Sequence, residues 1–338
     1  MVSRYERLAR RRIDSEITAA KQLNEVYRSI EQSESVRYVI GTMQPIDPEY
    51  TANTYEQGRR VCNQLQKRLS IGCEYKYQGS VTNDTHIRAR SDIDVLAIIK
   101  KFFSLEKPQK PISPYKGDPI QDLLELREEC IGVLSSAFPE ATLDSSGSKS
   151  IQIEGGSLRR KVDVVPSNWR NTNKYAETSD DIYRGVHVLD AKSKTRLANT
   201  PFLHNAWIEH KDKNTNGGMR KAARLLKSLK YDSERISLSS YDLVSIAFSI
   251  PEPDLAIQKG GELTLLDSCN SYCAGLLNNP SFRDTLLVPD EHRKIFAPGH
   301  ATEEGLSELV NELSQLVTDV LSENQRSFRK LAEARVDY

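Results

Sequence analysis

The sequence predicts an α+β fold: a mixed sheet with helices in the N-terminal part, joined to a C-terminal helical lobe. Three observations predict it. Apolar, β-branched runs at Asp92–Ile99 and Arg159–Pro166 read as buried strands. Around them, apolar residues recur at helical spacing, so helices and strands mix in the α+β manner. From Pro201 onward helical periodicity dominates and strand signal is sparse. The expected division is therefore residues 1–200 for the N-terminal helices and sheet, and residues 201–338 for the helical lobe.

Taken in order, Val2 to Ile40 reads as one helix, with Tyr5, Leu8, Ile13, Ile17, Leu23, Tyr27 and Ile30 among its apolar positions. Arg10-Arg11-Arg12 reads as a solvated basic turn. Gly41–Pro48, with two prolines, is a connector. A second helix runs from Thr51 to Leu69, with Gly58, Val61, Cys62 and Leu65 on one face. A short strand, Cys73–Gln78, leads to Gly79-Ser80, and the residues after it read as a short helix start. Lys107–Pro119 is a surface loop and Ile120–Ala137 a third helix. Short strands follow at Ser150–Ile153, Gly185–Leu189 and Thr195–Ala198. In the second half, Met219–Tyr231, Tyr241–Ile250 and Thr302–Ala332 carry regular helical patterns.

With 338 residues the chain can bury a full core. Its 47 basic and 47 acidic residues cancel, which does not suggest constitutive wrapping of nucleic acid. No apolar run is long enough to span a membrane, and the first residues lack the apolar core of a signal peptide, so a cytoplasmic protein is expected. Five scattered cysteines argue against a disulfide framework; Cys269 and Cys273 read as core thiols rather than zinc ligands.

Chemistry concentrates between residues 78 and 99. Asp92 and Asp94, two apart at a strand start, project to the same side. Paired carboxylates repel, and the usual compensation is a divalent cation, most often magnesium, which takes oxygen ligands and keeps sites for substrate phosphates. Gly79 lets backbone approach a phosphate closely. Alone, an Asp-x-Asp reads equally as two strand-end carboxylates. A third carboxylate, Asp163, lies on the second apolar strand. In the C-terminal half, Arg220, Arg224 and Lys227 share a helical stripe suited to a triphosphate, though spacing alone also describes a solvated basic face. A serine in Ser239-Ser240 is first of all a helix N-cap. Asn199-Thr200-Pro201 and His204-Asn205 are candidates for the acceptor side, though His204 reads first as a helix-surface histidine.

Gly-Ser, then Ser-Asp-Ile-Asp entering a strand, then Val-Asp-Val-Val-Pro resembles the DNA polymerase β-type nucleotidyltransferases, and within them the bacterial CD-NTases, relatives of animal cyclic GMP–AMP synthase. The matching stretch runs from Gln78 to Phe248. The resemblance implies a polymerase β-like core behind a long spine helix, the Thr51–Leu69 helix. It implies that Asp92, Asp94 and Asp163 are catalytic and hold Mg2+, with Mn2+ as a substitute. Gln78, Gly79 and Ser80 would bind nucleotide, the latter two gripping β and γ phosphates. Arg-Leu-Leu-Lys resembles the family's Arg-x-x-Lys helix and puts the donor triphosphate on Lys227 and Arg224. Ser240 and Tyr241 resemble a Ser-Tyr pair that meets a phosphate and stacks on a base.

The implied activity is template-independent joining of nucleoside triphosphates, ATP among them, into a cyclic or short linear oligonucleotide, with pyrophosphate released. The product would act as a second messenger on a downstream effector in a CBASS-type antiviral system, made by a monomeric enzyme. Alternatives are a tRNA-end or antibiotic-modifying nucleotidyltransferase, or an inactive nucleotide-binding scaffold. No His/Cys cluster of the zinc-clasp kind occurs, and the end Arg335-Val336-Asp337-Tyr338 lacks the small residue that conjugation would use.

Overall fold

A computed structural model describes residues 3–12, 33–87, 92–258 and 260–334. Its contacts divide the chain into two units. One comprises Ile46–His86 and Arg90–Trp207, the other Met1–Pro45, Ile87–Ala89 and Ile208–Tyr338.

Where one helix was predicted over Val2–Ile40, two helices are described, α1 (Arg4–Arg12) and α2 (Glu34–Met43). Ile13, Ile17, Leu23, Tyr27 and Ile30 lie outside the described residues. Ser33 starts α2 as an N-cap: its backbone is extended and its side chain accepts from the Val36 N–H. The next helix, α3 (Pro48–Arg68), is capped by Asp47, which accepts from Glu49 N–H, with Pro48 in the first turn. It presses on the sheet through Gly58, where a Cβ would come within 2.8 Å of the Tyr77 ring and 3.3 Å of Ile93.

The strands are β1 (Cys73–Gln78), β2 (Ile93–Leu105), β3 (Thr142–Asp144), β4 (Ile151–Gly155), β5 (Leu158–Asn171), β6 (Gly185–Asp190) and β7 (Thr195–Asn199). They form one mixed sheet ordered β1-β2-β5-β4-β3, with β6 on β5 and β7 on β6. Only the β2–β5 pair is parallel among these pairings. Val95 to Ile99 are fully buried on both faces of β2, as a central strand requires. The strand runs beyond the predicted Ile99: Lys100 and Lys101 interrupt the apolar pattern, and pairing with β5 resumes at Phe103. The β2–β5 register shifts between Ile99 and Phe103. Helix α4 (Pro119–Ala137) buries Leu123, Leu126, Cys130 and Leu134 in the same core as Val61 and Leu65 of α3 and Val95, Ala97, Ile99, Val162 and Val164 from one face of β2 and β5. A short helix, α5 (Asn173–Thr178), follows β5.

The other unit is helical. Its elements are α1, α2, part of α6 (Pro201–Asn214), α7 (Gly218–Asp232), α8 (Ser240–Ser249), α9 (Glu252–Leu255), α10 (Glu262–Asn278), α11 (Pro280–Arg283) and α12 (Glu303–Ala334). This division differs from a split at residue 200: Tyr38, Val39 and Met43 of α2 share one core with Met219, Ala222, Ala223 and Leu226 of α7 and Leu306, Leu309 and Leu313 of α12. The apolar face of α2 therefore belongs to the C-terminal helices, not to the sheet. All five cysteines carry free thiols, and Cys269 and Cys273 lie in this helical core. No described helix is long and apolar enough to cross a membrane.

Candidate active site

Register builds the site. In the antiparallel β1–β2 pair Gln78 stands opposite Asp94, and in the parallel β2–β5 pair Asp94 stands beside Asp163. Asp92, two residues before Asp94, projects to the same face. Three carboxylates and one amide thus gather where the β2–β5 ladder begins, with Asp163 lying inside the longer β5. Gly79 comes next, at φ +86°, and a Cβ there would collide with Asp94 Oδ2. Both the backbone angle and the contact require glycine.

The segment after Gly79-Ser80 is a run of turns, not the helix start expected. Side chains hold it in place of a helical ladder. Thr82 Oγ1 donates to the Gly79 carbonyl at 2.7 Å, and Asn83 Oδ1 accepts from the Thr85 N–H (3.2 Å) and Oγ1 (2.7 Å). Asn205 of α6 donates to Thr82 Oγ1 at 2.9 Å and accepts from Asn83 Nδ2 at 3.2 Å. Asn199, at the end of β7, donates to Gln78 Oε1 at 3.4 Å. His204 is buried, not on the surface.

Burial, and then the charges of Asp163 and Asp92, push Asp94 up to about 7. Asp163 is pushed up to about 6, chiefly by burial, against the pull of Lys161. The Lys161 ammonium lies 2.7 Å from Asp92 Oδ2 and 3.9 Å from Asp163 Oδ2. The sequence reading gave this lysine no role, although its two-residue spacing from Asp163 already puts both on one face of β5.

Among the described residues, no three His, Cys, Asp or Glu side chains stand in a ready-made metal-holding arrangement. The chemistry of the donors nonetheless fits a hard divalent cation. All are carboxylate oxygens, two of the groups are held far above the usual carboxylate range, and Asp163 Oδ1 is buried with no hydrogen-bond partner.

The remaining predicted residues belong to the helical unit. Lys227 is buried on α7, and burial, followed by the charges of Arg224 and Lys230, lowers it to about 7. Arg224 is also buried, and its Nε donates to the Met43 carbonyl at the end of α2, 3.0 Å away. The predicted cationic stripe is not uniform. Arg220 is ion-paired with Asp212 at 3.0 Å and with Glu209, so its charge is met within its own unit. Ser239, not Ser240, caps α8: its Oγ accepts from the Asp242 N–H at 3.0 Å. Ser240 is exposed in the first turn. Tyr241 is half-buried, its hydroxyl donates to Asp290 Oδ1 at 3.1 Å, and the Arg293 guanidinium lies 5.1 Å from its ring centroid. Asp290 also pairs with His292 Nδ1 at 2.8 Å. Nothing in the spacing of residues 288–293 points to α8.

No family model matches the chain. Three relatives are informative. A cyclic dinucleotide synthase CdnE of Yersinia aleksiciae is 38% identical over 294 residues, covering 86% of this chain and 77% of that protein. A c-di-GMP synthase of a Lachnospiraceae bacterium is 31% identical over 247 residues, covering 65% of this chain and 70% of its own. The solved structure of a STING-associated CdnE c-di-GMP synthase from Capnocytophaga granulosa superposes with a TM-score of 0.79 at 27% identity, covering 94% of this chain and 98% of that one.

Proposed function

Since the chain belongs to the CD-NTase family of nucleotidyltransferases, we propose that it joins two nucleoside triphosphates into a cyclic dinucleotide at the carboxylate row of β2 and β5. The observation that carries this is the register of Asp94 beside Asp163, with Gly79 closed down on Asp94 Oδ2. The names of all three relatives describe cyclic dinucleotide synthesis, and two describe c-di-GMP. That supports a dinucleotide ring and makes GTP a substrate to test beside ATP.

In this reading Asp92, Asp94 and Asp163 hold Mg2+, or Mn2+ in its place. Bound there, the metal would steady the entering and leaving oxygens of an in-line displacement. Asp163 faces the acceptor sugar, orients its hydroxyl and takes up the proton as that oxygen bonds to the α-phosphorus. Pyrophosphate leaves, and a second round closes the ring. Gln78, Gly79 and Ser80 form the phosphate-facing turn, kept in shape by Asn83 and Asn205. Lys227 neutralises the donor triphosphate, which would restore the proton that burial makes weakly held. Arg224, whose Nε donates to the Met43 carbonyl at the end of α2, would join Lys227 on the donor triphosphate. Ser240 stays available for a phosphate, and the Tyr241 ring, whose hydroxyl donates to Asp290, would stack on a base.

The product is a messenger read by a separate effector in a CBASS-type antiviral system, made in the cytoplasm by a monomer. The STING association of the Capnocytophaga relative supports an effector of that kind. Incubation with the four labelled nucleoside triphosphates, singly and in pairs, followed by mass spectrometry, tests the proposal. A cyclic dinucleotide formed without polymer or drug acceptor is the expected product. Transfer seen only when tRNA or an aminoglycoside is added would overturn it.

A further inference from the structure

Lys161 brings a positive charge into the carboxylate row from inside the chain. Its side chain is 24% exposed, between Asp92 at 39% and Asp163 at 13%. It satisfies Asp92 at 2.7 Å and reaches only Oδ2 of Asp163, at 3.9 Å; Oδ1 of Asp163 is left buried without a partner. Strand alternation holds this geometry, since Lys161 and Asp163 are two apart on β5 while Asp92 and Asp94 are two apart at the start of β2. A single tethered ammonium is a poor match for these oxygens. It is a point charge on a flexible four-carbon stem, able to swing out, whereas a divalent ion can bridge several carboxylates at once.

We infer that Lys161 is a built-in placeholder cation that sits where a divalent ion would bridge Asp92 and Asp163, and that it must withdraw before the ion can bind. The lysine thereby sets the metal concentration at which the site fills. This rests on the metal reading of the carboxylates made above.

The test is Mn2+ titration of the full chain, free of nucleotide, followed by electron paramagnetic resonance of unbound Mn2+ and by thermal melting. Wild type is compared with Lys161→Met, Lys161→Gln and Asp94→Asn. Both lysine variants are expected to bind Mn2+ about tenfold tighter, as loss of one like charge beside a cation site implies. Their metal-free forms should melt below wild type, and the rise in melting temperature on adding Mn2+ should be larger. Mn2+ affinity equal to or weaker than wild type in both lysine variants, with binding lost in Asp94→Asn, sinks the placeholder role alone. Unchanged binding in Asp94→Asn sinks the carboxylate site itself, and the inference with it.

Discussion

Replacing Asp94 by asparagine should kill synthesis and stabilise the fold at once. Asp94 is ordinarily a carboxylate of pKa 3.8, and in the folded chain it is raised to about 7 by burial and by Asp163 and Asp92. The sign follows from linkage. Below about pH 4 both states carry the proton and the group costs nothing. Between about 4 and 7 the unfolded chain ionises while the folded chain does not, so stability falls as pH rises; above 7 the full penalty is present. A rise of that size corresponds to about 4 kcal/mol, and asparagine, which keeps the shape and drops the charge, should recover roughly half to all of it. For a sheet unit of this size, that is a rise of roughly 5–10 °C in melting temperature. Calorimetry of metal-free protein in chelator, from pH 4.5 to 8.5, reads it directly. The gap between variant and wild type should open from pH 4.5 to 7 and then stay level. A variant that melts no higher than wild type at pH 8, or a gap of the same size at pH 4.5, would refute the claim that a desolvated, crowded charge is stored at Asp94.

Other expectations concern single contacts. Gly79→Ala drives a Cβ into Asp94 Oδ2 at a φ of +86°, so synthesis should fall at least a hundredfold while circular dichroism shows the sheet intact. Lys227 is lowered to about 7 by burial and by Arg224 and Lys230, so it is largely neutral at pH 8 and should take up a proton when a triphosphate binds. Calorimetric titration at pH 8 in buffers of different ionisation enthalpy should show that uptake, and Lys227→Met should abolish it. Tyr241→Phe removes the hydroxyl bonded to Asp290 and should cost about 1–3 kcal/mol of stability, with nucleotide affinity nearly unchanged; a large affinity loss in this variant would assign the hydroxyl to the ligand.

The strands and their carboxylates were legible because period-two alternation and β-branched composition are local properties, and Asp92 and Asp94 open one such run while Asp163 lies inside the other. The α3, α4 and α12 helices were legible for the same reason at helical period. What was not legible depends on partners far along the chain. Arg220, Arg224 and Lys227 look alike on a helical wheel. Only the fold gives Arg220 to Asp212 and Glu209, gives Arg224 to the Met43 carbonyl, and leaves Lys227 buried with its charge disfavoured. The turn after Gly79 failed as a helix because Asn83 and Asn205, over a hundred residues apart, supply the hydrogen bonds that a helical ladder would have supplied. Val2–Ile40 read as one helix because its apolar stripe is continuous, and such a stripe conceals the Ser33 cap that starts α2.

The register shift between Ile99 and Phe103 divides β2 into two lengths of chain with different tolerance for change. Upstream of it, every residue from Ile93 to Ile99 is locked tooth for tooth to its neighbour on β5. Gaining or losing one residue there would turn Asp94 to the opposite side of the sheet. Downstream, the pairing has already slipped once and resumed, so an added residue near Lys100–Phe102 meets a ladder that is already interrupted. Lineages of this chain are therefore free to vary in length on one side of that joint and bound to a fixed count on the other. A comparison of relatives should find their insertions and deletions gathered after Ile99 and absent from the seven residues before it.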